Sequence, residues 1–314
     1  MSGGKPIRLR DFVADRDGWL YAVSAYDNAD RVGCVLRYVP DAEGARVDPR
    51  GRRYTKYDFE EAYALIAATK PRYLDTLHRI PREDVTRVFK PEEEIGAIAA
   101  RDSRVRRLTE IFAVPPGAVG CTGSLLCGLD NEASDIDMVV YGDDWFVAQA
   151  NLRRAIAEGR IAGLSDEMWE RVYGKRVPEI PFEVFVVHEQ RKWNRGEIEG
   201  TYFDLLYTRS YDDLAAAAPG HGEVIGRATI EATVTDATLS FDSPAVYFID
   251  HEEVSRVLSF THTYSGQARA GEEIEAAGVL EQHGGERWLI VGTTREAKGE
   301  YIVSTTLLGA AGLR

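Results

Sequence analysis

The chain is poor in cysteine and lysine and has no long apolar run. Among its 314 residues stand three cysteines, Cys34, Cys121 and Cys127, and none forms a C-x-x-C pair. That excludes a disulfide framework and cysteine-rich zinc sites, and it fits a reducing, cytoplasmic setting. Cys121 and Cys127 read as small buried hydrophobes. No apolar stretch approaches the roughly 18 residues of a membrane span, and the opening MSGGKPIRLRDF has no signal-peptide core. No membrane partner is expected. The six histidines are scattered, and none stands at zinc spacing with cysteine or aspartate. Of these, His262 in FTHTYSG reads as a core or strand histidine. Neither G-x-x-x-x-G-K-S/T nor G-x-S-x-G occurs, so a P-loop and a hydrolase nucleophile elbow are both excluded.

Only seven of the 38 basic residues are lysine, and the formal net charge is −13. An acidic, lysine-poor surface is the style of salt-adapted, halophilic proteins, and charge far from zero maintains solubility. Acidity of that origin belongs to a whole proteome, so it does not by itself argue against a nucleic-acid partner. Hydrophobic residues make up 44% of the chain, enough for a sizeable core, and the length suits two or three domains.

The most informative stretch is Gly120–Gly142, GCTGSLLCGLDNEASDIDMVVYG. A short strand, Ala118–Thr122, leads into Gly123-Ser124. Ser124–Leu129 suits one helical turn with Ser124 near its N-cap. Ten residues separate Ser124 from Asp135-Ile136-Asp137, which opens a strand running to Tyr141. Residues two apart in a strand share a face, so Asp135 and Asp137 project together while Ile136 is buried. Paired carboxylates suit a hard divalent cation, and backbone N–H groups exposed at a tight turn cradle phosphate. Cradle and carboxylates together are the minimum for phosphoryl or nucleotidyl transfer. The alternative is a solvated turn at a strand start. Ser134 reads as a turn hydroxyl bonded to nearby backbone.

Around this stretch, residues 1–55 read as β-rich, with strands at Trp19–Tyr26 and Val32–Val39 and a loop over Asp41–Arg53. Helices are expected at about 57–69, 91–112, 143–158 and 165–173. Pro181–Arg195 is ambiguous between strand and helix, and Tyr202–Thr208 is a clear strand. Ala215–Gly222 reads as a linker. Beyond it, alternating runs near 225–234, 245–249, 257–261, 274–281, 288–291 and 301–305 suggest a small all-β barrel or sandwich. The expected organisation is an N-terminal α+β region (1–90), a core (91–213) and a C-terminal β domain (222–314).

A Gly-Ser turn, ten residues and D-x-D on a strand resemble the DNA polymerase beta-like nucleotidyltransferase superfamily. Thr122-Gly123-Ser124, Gly128 and Ser134-Asp135-Ile136-Asp137 match its pattern residue for residue, over about residues 91–210. Runs such as RRYTKYDFEEAY, CTGSLLCGL, RKWNRG and GTTREAKGEYI make the whole chain similar to a group of predicted archaeal nucleotidyltransferases, which names no substrate. The resemblance implies an α/β (α+β) nucleotidyltransferase core with a small mixed sheet, framed by the N-terminal α+β region and the barrel-like C-terminal domain. It implies transfer of a nucleoside monophosphate from a nucleoside triphosphate, with Mg²⁺ or Mn²⁺ as cofactor and ATP the default donor by abundance. The acceptor hydroxyl is open: an RNA or DNA end, a protein or a small molecule. Gly123 and Ser124 are implied to bind the triphosphate, and Asp135 and Asp137 to hold metal.

The superfamily carries a third carboxylate on a later strand. Asp204 is the choice here for both catalysis and metal binding, because a charge in the apolar strand YFDLLY is costly unless paired or ligated. The alternative is a buried acid paired with an arginine such as Arg209, and Glu183 is the rival third carboxylate if Phe182–Val187 is a strand. Lys192 and Arg195 in RKWNRG are candidate triphosphate ligands, with Trp193 as a stacking surface. A helix C-terminus favouring cations is the competing reading. Arg52-Arg53 with Tyr54 and Lys56 reads as an exposed loop, and Arg295 with Lys298 as a solvated turn. A non-catalytic nucleotide- or RNA-binding module on the same fold is the rival from another class.

Overall fold

The computed structural model describes residues 5–214, 222–293 and 298–313. The chain divides into two compact units, Met1–Ala162 with Asn194–Ala217, and Gly163–Trp193 with Ala218–Arg314. These boundaries differ from the expected ones. Residues 1–90 join the core, and residues 163–193 group with the C-terminal region. The linker expected at Ala215–Gly222 lies almost wholly outside the described residues, as does Arg295.

The first unit is α+β with two sheets. Strands β1 (Phe12–Ala14), β2 (Leu20–Val23), β3 (Arg31–Pro40), β4 (Arg46–Val47), β5 (Arg53–Lys56), β6 (His78–Pro81) and β7 (Arg87–Phe89) form one sheet in the order β4-β5-β3-β2-β1-β7, with β6 also on β3. Val13, Tyr21, Val23, Cys34 and Leu36 pack on one face against Ala62 and Ile66. Those two belong to α1 (Phe59–Thr69), whose N-terminus is held by a capping box between Asp58 and Glu61. Phe12, Leu20, Tyr38 and Tyr54 pack against Leu126 and Leu129. That shared apolar cluster is why the N-terminal region does not stand apart from the core.

The expected single helix over 91–112 is two, α2 (Pro91–Arg101) and α3 (Ser103–Phe112). Asp102 separates them with an extended backbone, and its carboxylate accepts the N–H groups of Arg104 and Val105. A capping aspartate satisfies the donors that a new helix start leaves open. The second sheet has the order β10-β11-β9-β8, from β8 (Val119–Cys121), β9 (Ile136–Tyr141), β10 (Arg195–Ile198) and β11 (Thr201–Thr208). β11 runs parallel to β9, and the other two pairings are antiparallel, so the sheet is mixed as expected. Between β8 and β9 lies α4 (Gly123–Cys127); α5 (Asp144–Ala157) follows β9. Trp145 of α5 donates its indole N–H to the Leu205 carbonyl (3.3 Å). The opposite sheet face, where Val139, Tyr141 and Leu206 cluster, also carries the aspartates.

The second unit begins with α6 (Asp166–Arg176), capped by Ser165, and α7 (Phe182–Gln190). The ambiguous Pro181–Arg195 is therefore helical over most of its length. Strands β12 (Glu223–Asp236), β13 (Ala245–Asp250), β14 (Arg256–Ser259), β15 (Glu273–His283), β16 (Glu286–Val291) and β17 (Tyr301–Ser304) follow, then α8 (Thr305–Ala311). β12 pairs with both β13 and β15, so β12-β13-β14-β16-β15 closes into a ring, and β17 joins β15. The barrel-like expectation thus describes the strands, whereas an all-β unit does not, since three helices accompany them. His262 lies exposed in a short turn rather than in the core or a strand. Among the described residues no helix is long and apolar enough to cross a membrane.

Candidate functional site

The site lies on one face of the mixed sheet. Thr122 ends the approach of β8: its N–H donates to the Asp137 carbonyl (2.8 Å) and its hydroxyl to the Arg10 carbonyl (2.6 Å). Gly123 follows with φ +71°, a conformation L side chains seldom adopt. A Cβ on Gly123 would stand 2.5 Å from Asp137 Oδ2. Glycine is therefore required twice, by the backbone and by the carboxylate beside it. Ser124 is the second residue of α4, half-buried, and its carbonyl accepts the Leu129 N–H (2.9 Å).

Asp135 precedes β9 and Asp137 is its second residue; both are half-buried. The parallel register of β11 on β9 sets Asp204 directly beside Asp137, and the antiparallel register of β10 sets Arg195 directly beside Asp204. Register partners on neighbouring strands point to the same face. Arg195, Asp204 and Asp137 therefore form a row across three strands, with the Gly123 turn at its end. Arg195 Nε is 3.3 Å from Asp204 Oδ1. That oxygen is buried and accepts no hydrogen bond from the protein, a costly condition for a carboxylate unless something else meets it.

Among the described residues, no group of three His, Cys, Asp or Glu side chains is positioned to hold a metal ion together. Mg²⁺, however, keeps several waters and is commonly bound by one or two carboxylates plus substrate phosphates rather than by a protein cage. The donor set fits it on two counts: the oxygen of Asp204 that lacks a hydrogen bond and the side-chain-free cradle at Gly123.

The remaining expected residues separate. Lys192 belongs to the second unit, where it is buried, ion-paired with Glu189 (2.5 Å) and bonded to the Thr263 carbonyl (2.8 Å). Arg195 belongs to the first unit, where its guanidinium faces the Asp204 carboxylate. The arginine at Asp204 is Arg195; the guanidinium of Arg209 lies over the Tyr26 ring, 5.1 Å from its centroid. Glu183, the rival third carboxylate, lies on helix α7 of the second unit, so its strand premise fails. Ser134 is a turn hydroxyl: it accepts the Asn131 N–H (3.0 Å) and donates to the Asn131 side-chain carbonyl (3.1 Å).

The chain is 36% identical to "Uncharacterized protein MJ1086" of Methanocaldococcus jannaschii, over an alignment of 334 positions covering 94% of this chain and 98% of that protein. It belongs to the MJ1086 family. No family model and no solved structure matches it. That relative is itself uncharacterized, so the chemistry of this MJ1086-family site rests on its geometry.

Two neighbours of the site had no sequence signal. Arg10 has φ +74°, and its carbonyl anchors Thr122. A non-glycine residue held left-handed beside the Gly123 turn marks a place where the fold over-determines the backbone. The Arg46 guanidinium donates to the Leu129 carbonyl (3.1 Å) and to Ser134 Oγ (3.0 Å), one residue before Asp135. Neither residue belongs to a periodic or motif pattern, and both act from the N-terminal sheet.

Proposed function

We propose that this member of the MJ1086 family is a Mg²⁺-dependent nucleotidyltransferase of the polymerase beta-like kind. It would move a nucleoside monophosphate from a nucleoside triphosphate to an acceptor hydroxyl. The observation that carries the reading is the register of Asp204 on Asp137, with the Gly123 backbone against the same carboxylate. Three carboxylates and a side-chain-free turn on one sheet face are costly to keep unless a cation and phosphates use them.

In this reading Gly123 lets phosphate oxygens approach the backbone, and Ser124 offers its hydroxyl and N–H to them. Asp135 and Asp137 would hold the cation, which when bound neutralises triphosphate charge and lowers the pKa of an attacking hydroxyl. Asp204 would join them as a cation ligand through Oδ1 and take the proton of that hydroxyl on its other oxygen, with Arg195 fixing the carboxylate's orientation. The acceptor oxygen bonds to the α-phosphorus as the bond to the bridging oxygen breaks, and pyrophosphate leaves. Lys192, committed to Glu189, has no part.

A second reading is favoured by one observation. Arg195 already supplies a positive charge at Asp204, which suits a non-catalytic nucleotide-binding module. The test is incubation with each α-labelled nucleoside triphosphate, Mg²⁺ and cellular RNA or protein, at matched salt. Label transfer by the wild-type chain that disappears in Asp137→Ala supports the enzyme. Nucleotide binding without transfer to any acceptor assigns the module, and neither binding nor transfer sinks both.

A further inference from the structure

The basic run expected as an exposed loop at Arg52–Lys56 is one arm of a hairpin fastened to the motif. β4 and β5 pair Arg46 with Tyr54 and Val47 with Arg53. Arg46 ties the hairpin to Leu129 and Ser134. Near the hairpin's tip, Pro49 lies so close to Gly128 that a Cβ there would stand 3.0 Å from Pro49 Cδ. The hairpin is thus held beside the loop that joins Gly123 to Asp135.

In a chain of net charge −13, residues 46–56 carry five cations, Arg46, Arg50, Arg52, Arg53 and Lys56, against one acid, Asp48. That acid is occupied within the turn, where its Oδ1 accepts the N–H groups of Arg50 and Arg52, both at 2.9 Å. Arg50, Arg52 and Arg53 are exposed, and among the described residues none of them is ion-paired with a carboxylate. Acidic residues outnumber basic ones across the chain, 51 to 38, yet among the described residues no carboxylate pairs with these three; Arg52 lies over the Tyr54 ring, 5.4 Å from its centroid, and Arg53 faces the exposed Asp41. Guanidinium forks match phosphate oxygens in pairs. Arg50, Arg52 and Arg53 project to different sides of one exposed turn, and such a spread of cations suits a repeating polyanion better than a single phosphate.

We propose that the β4–β5 hairpin docks the phosphate backbone of a single-stranded nucleic acid, and that the end of this strand carries the acceptor hydroxyl. The assignment of the acceptor rests on the nucleotidyltransferase reading; the binding surface does not. Arg50, Arg52 and Arg53 contact successive phosphates and read no sequence. Arg46, half-buried and tied to the motif loop, positions the hairpin.

The test uses the full chain and a fluorescein-labelled single-stranded RNA, with anisotropy titrations across a salt series. The wild-type chain should bind with strong salt dependence. The variant R50A/R52A/R53A should bind at least about tenfold more weakly at low salt. Its slope of log affinity against log salt should be shallower by about 2, as expected for losing up to three phosphate contacts on a single strand. Its circular dichroism should match that of wild type, and Asp137→Ala should bind RNA like wild type. No salt-dependent binding by wild type, or an unchanged affinity and slope in the triple variant, overturns the proposal. Equal binding of polyglutamate, lost in the same variant, overturns it in favour of an acidic polypeptide. Intact RNA binding with no transfer from any nucleotide refutes the enzyme and leaves the hairpin standing. Transfer to a small acceptor that the triple variant retains overturns the assignment of the acceptor hydroxyl to the bound strand.

Discussion

Two arginines four positions apart, Arg191 and Arg195, come from one basic run and meet different fates. Arg191 lies in the second unit and clasps Glu272 through both terminal nitrogens, at 2.7 and 2.9 Å. Glu272 also accepts Ser304 Oγ–H (2.8 Å) and the Arg269 N–H (3.1 Å). Burial pushes its carboxyl up, but the bonds from Arg191 and Ser304 outweigh that and hold it below the usual range. Arg195 lies in the first unit and reaches Asp204 at 3.3 Å, leaving Oδ1 without a hydrogen bond. Both oxygens of the Glu272 carboxylate accept hydrogen bonds from the protein, while Asp204 Oδ1 retains acceptor capacity. A satisfied buried network specifies structure, whereas an unfilled one at a turn and a strand start marks a place for an outside group.

The largest way to break this comparison is at the unfilled end. Asp137→Ala should cut label transfer by about a thousandfold or more, since the lost stabilisation of developing charge is worth several kcal/mol. Its thermal unfolding should stay close to that of wild type. A transfer rate within threefold of wild type would place the chemistry elsewhere.

Stability separates the two pairs next. Glu272→Ala leaves Arg191 buried against lost partners and should cost about 4 kcal/mol in urea unfolding. Asp204→Asn should change stability by no more than about 1 kcal/mol, because removing one of two adjacent carboxylates relieves repulsion with Asp137 as the Arg195 pair is lost. Equal losses in the two variants would erase the distinction.

A buried histidine in each unit gives a pH test of intermediate size. Burial holds both His188 and His78 down, to about 4 from an ordinary 6.5. His188 Nε2 accepts the Ser304 N–H (2.9 Å), which requires the neutral ring. A histidine depressed in the folded state binds fewer protons there than when unfolded. Its stabilisation is therefore present above about 6.5 and is lost as pH falls towards about 4, by up to about 3 kcal/mol. Urea midpoints measured from pH 7.5 down to about 4.5 should fall in that window, and His188→Gln should remove part of the slope. A flat profile would refute the assignment. The smallest effect is expected at the surface: Arg50→Ala should alter stability by no more than about 0.5 kcal/mol, so any larger loss of RNA binding comes from the contact itself.

Much of the site was legible because it is local. Gly123, Asp135 and Asp137 lie within one turn and one strand, and β9 and β11 have the length and alternation that mark strands. Asp204 was readable as an anomaly, a charge in an apolar run. Its arginine was not, because Arg195 and Arg209 both neighbour it in sequence, and only the register of β10 on β11 decides between them. RKWNRG offered no mark for the division between Lys192 and Arg195, since their partners are far apart in the chain: Lys192 bonds the carbonyl of Thr263, in a turn, and Arg195 meets Asp204, in β11. The break at Asp102 was hidden by apolar positions that continue across it at helical spacing. β4, at two residues, is too short to carry any period, and that is why the hairpin passed for a loop. Glu183 shows the converse, since FEVFVV alternates too little to separate a strand from the helix it forms.

The order of the chain has a consequence for biosynthesis. The polypeptide passes from the first unit to the second after Ala162, returns at Asn194, and leaves again after Ala217. Neither unit is a continuous stretch, so no single cut yields both. On the ribosome, the row of Arg195, Asp204 and Asp137 can assemble once β11 has emerged. The helices α6 and α7, made earlier, wait for the strands of their own barrel and for α8, which follows those strands in the chain. Domains are generally completed in order from the N-terminus; here the face that carries the aspartates is finished while the segment inserted within it is still without its partners.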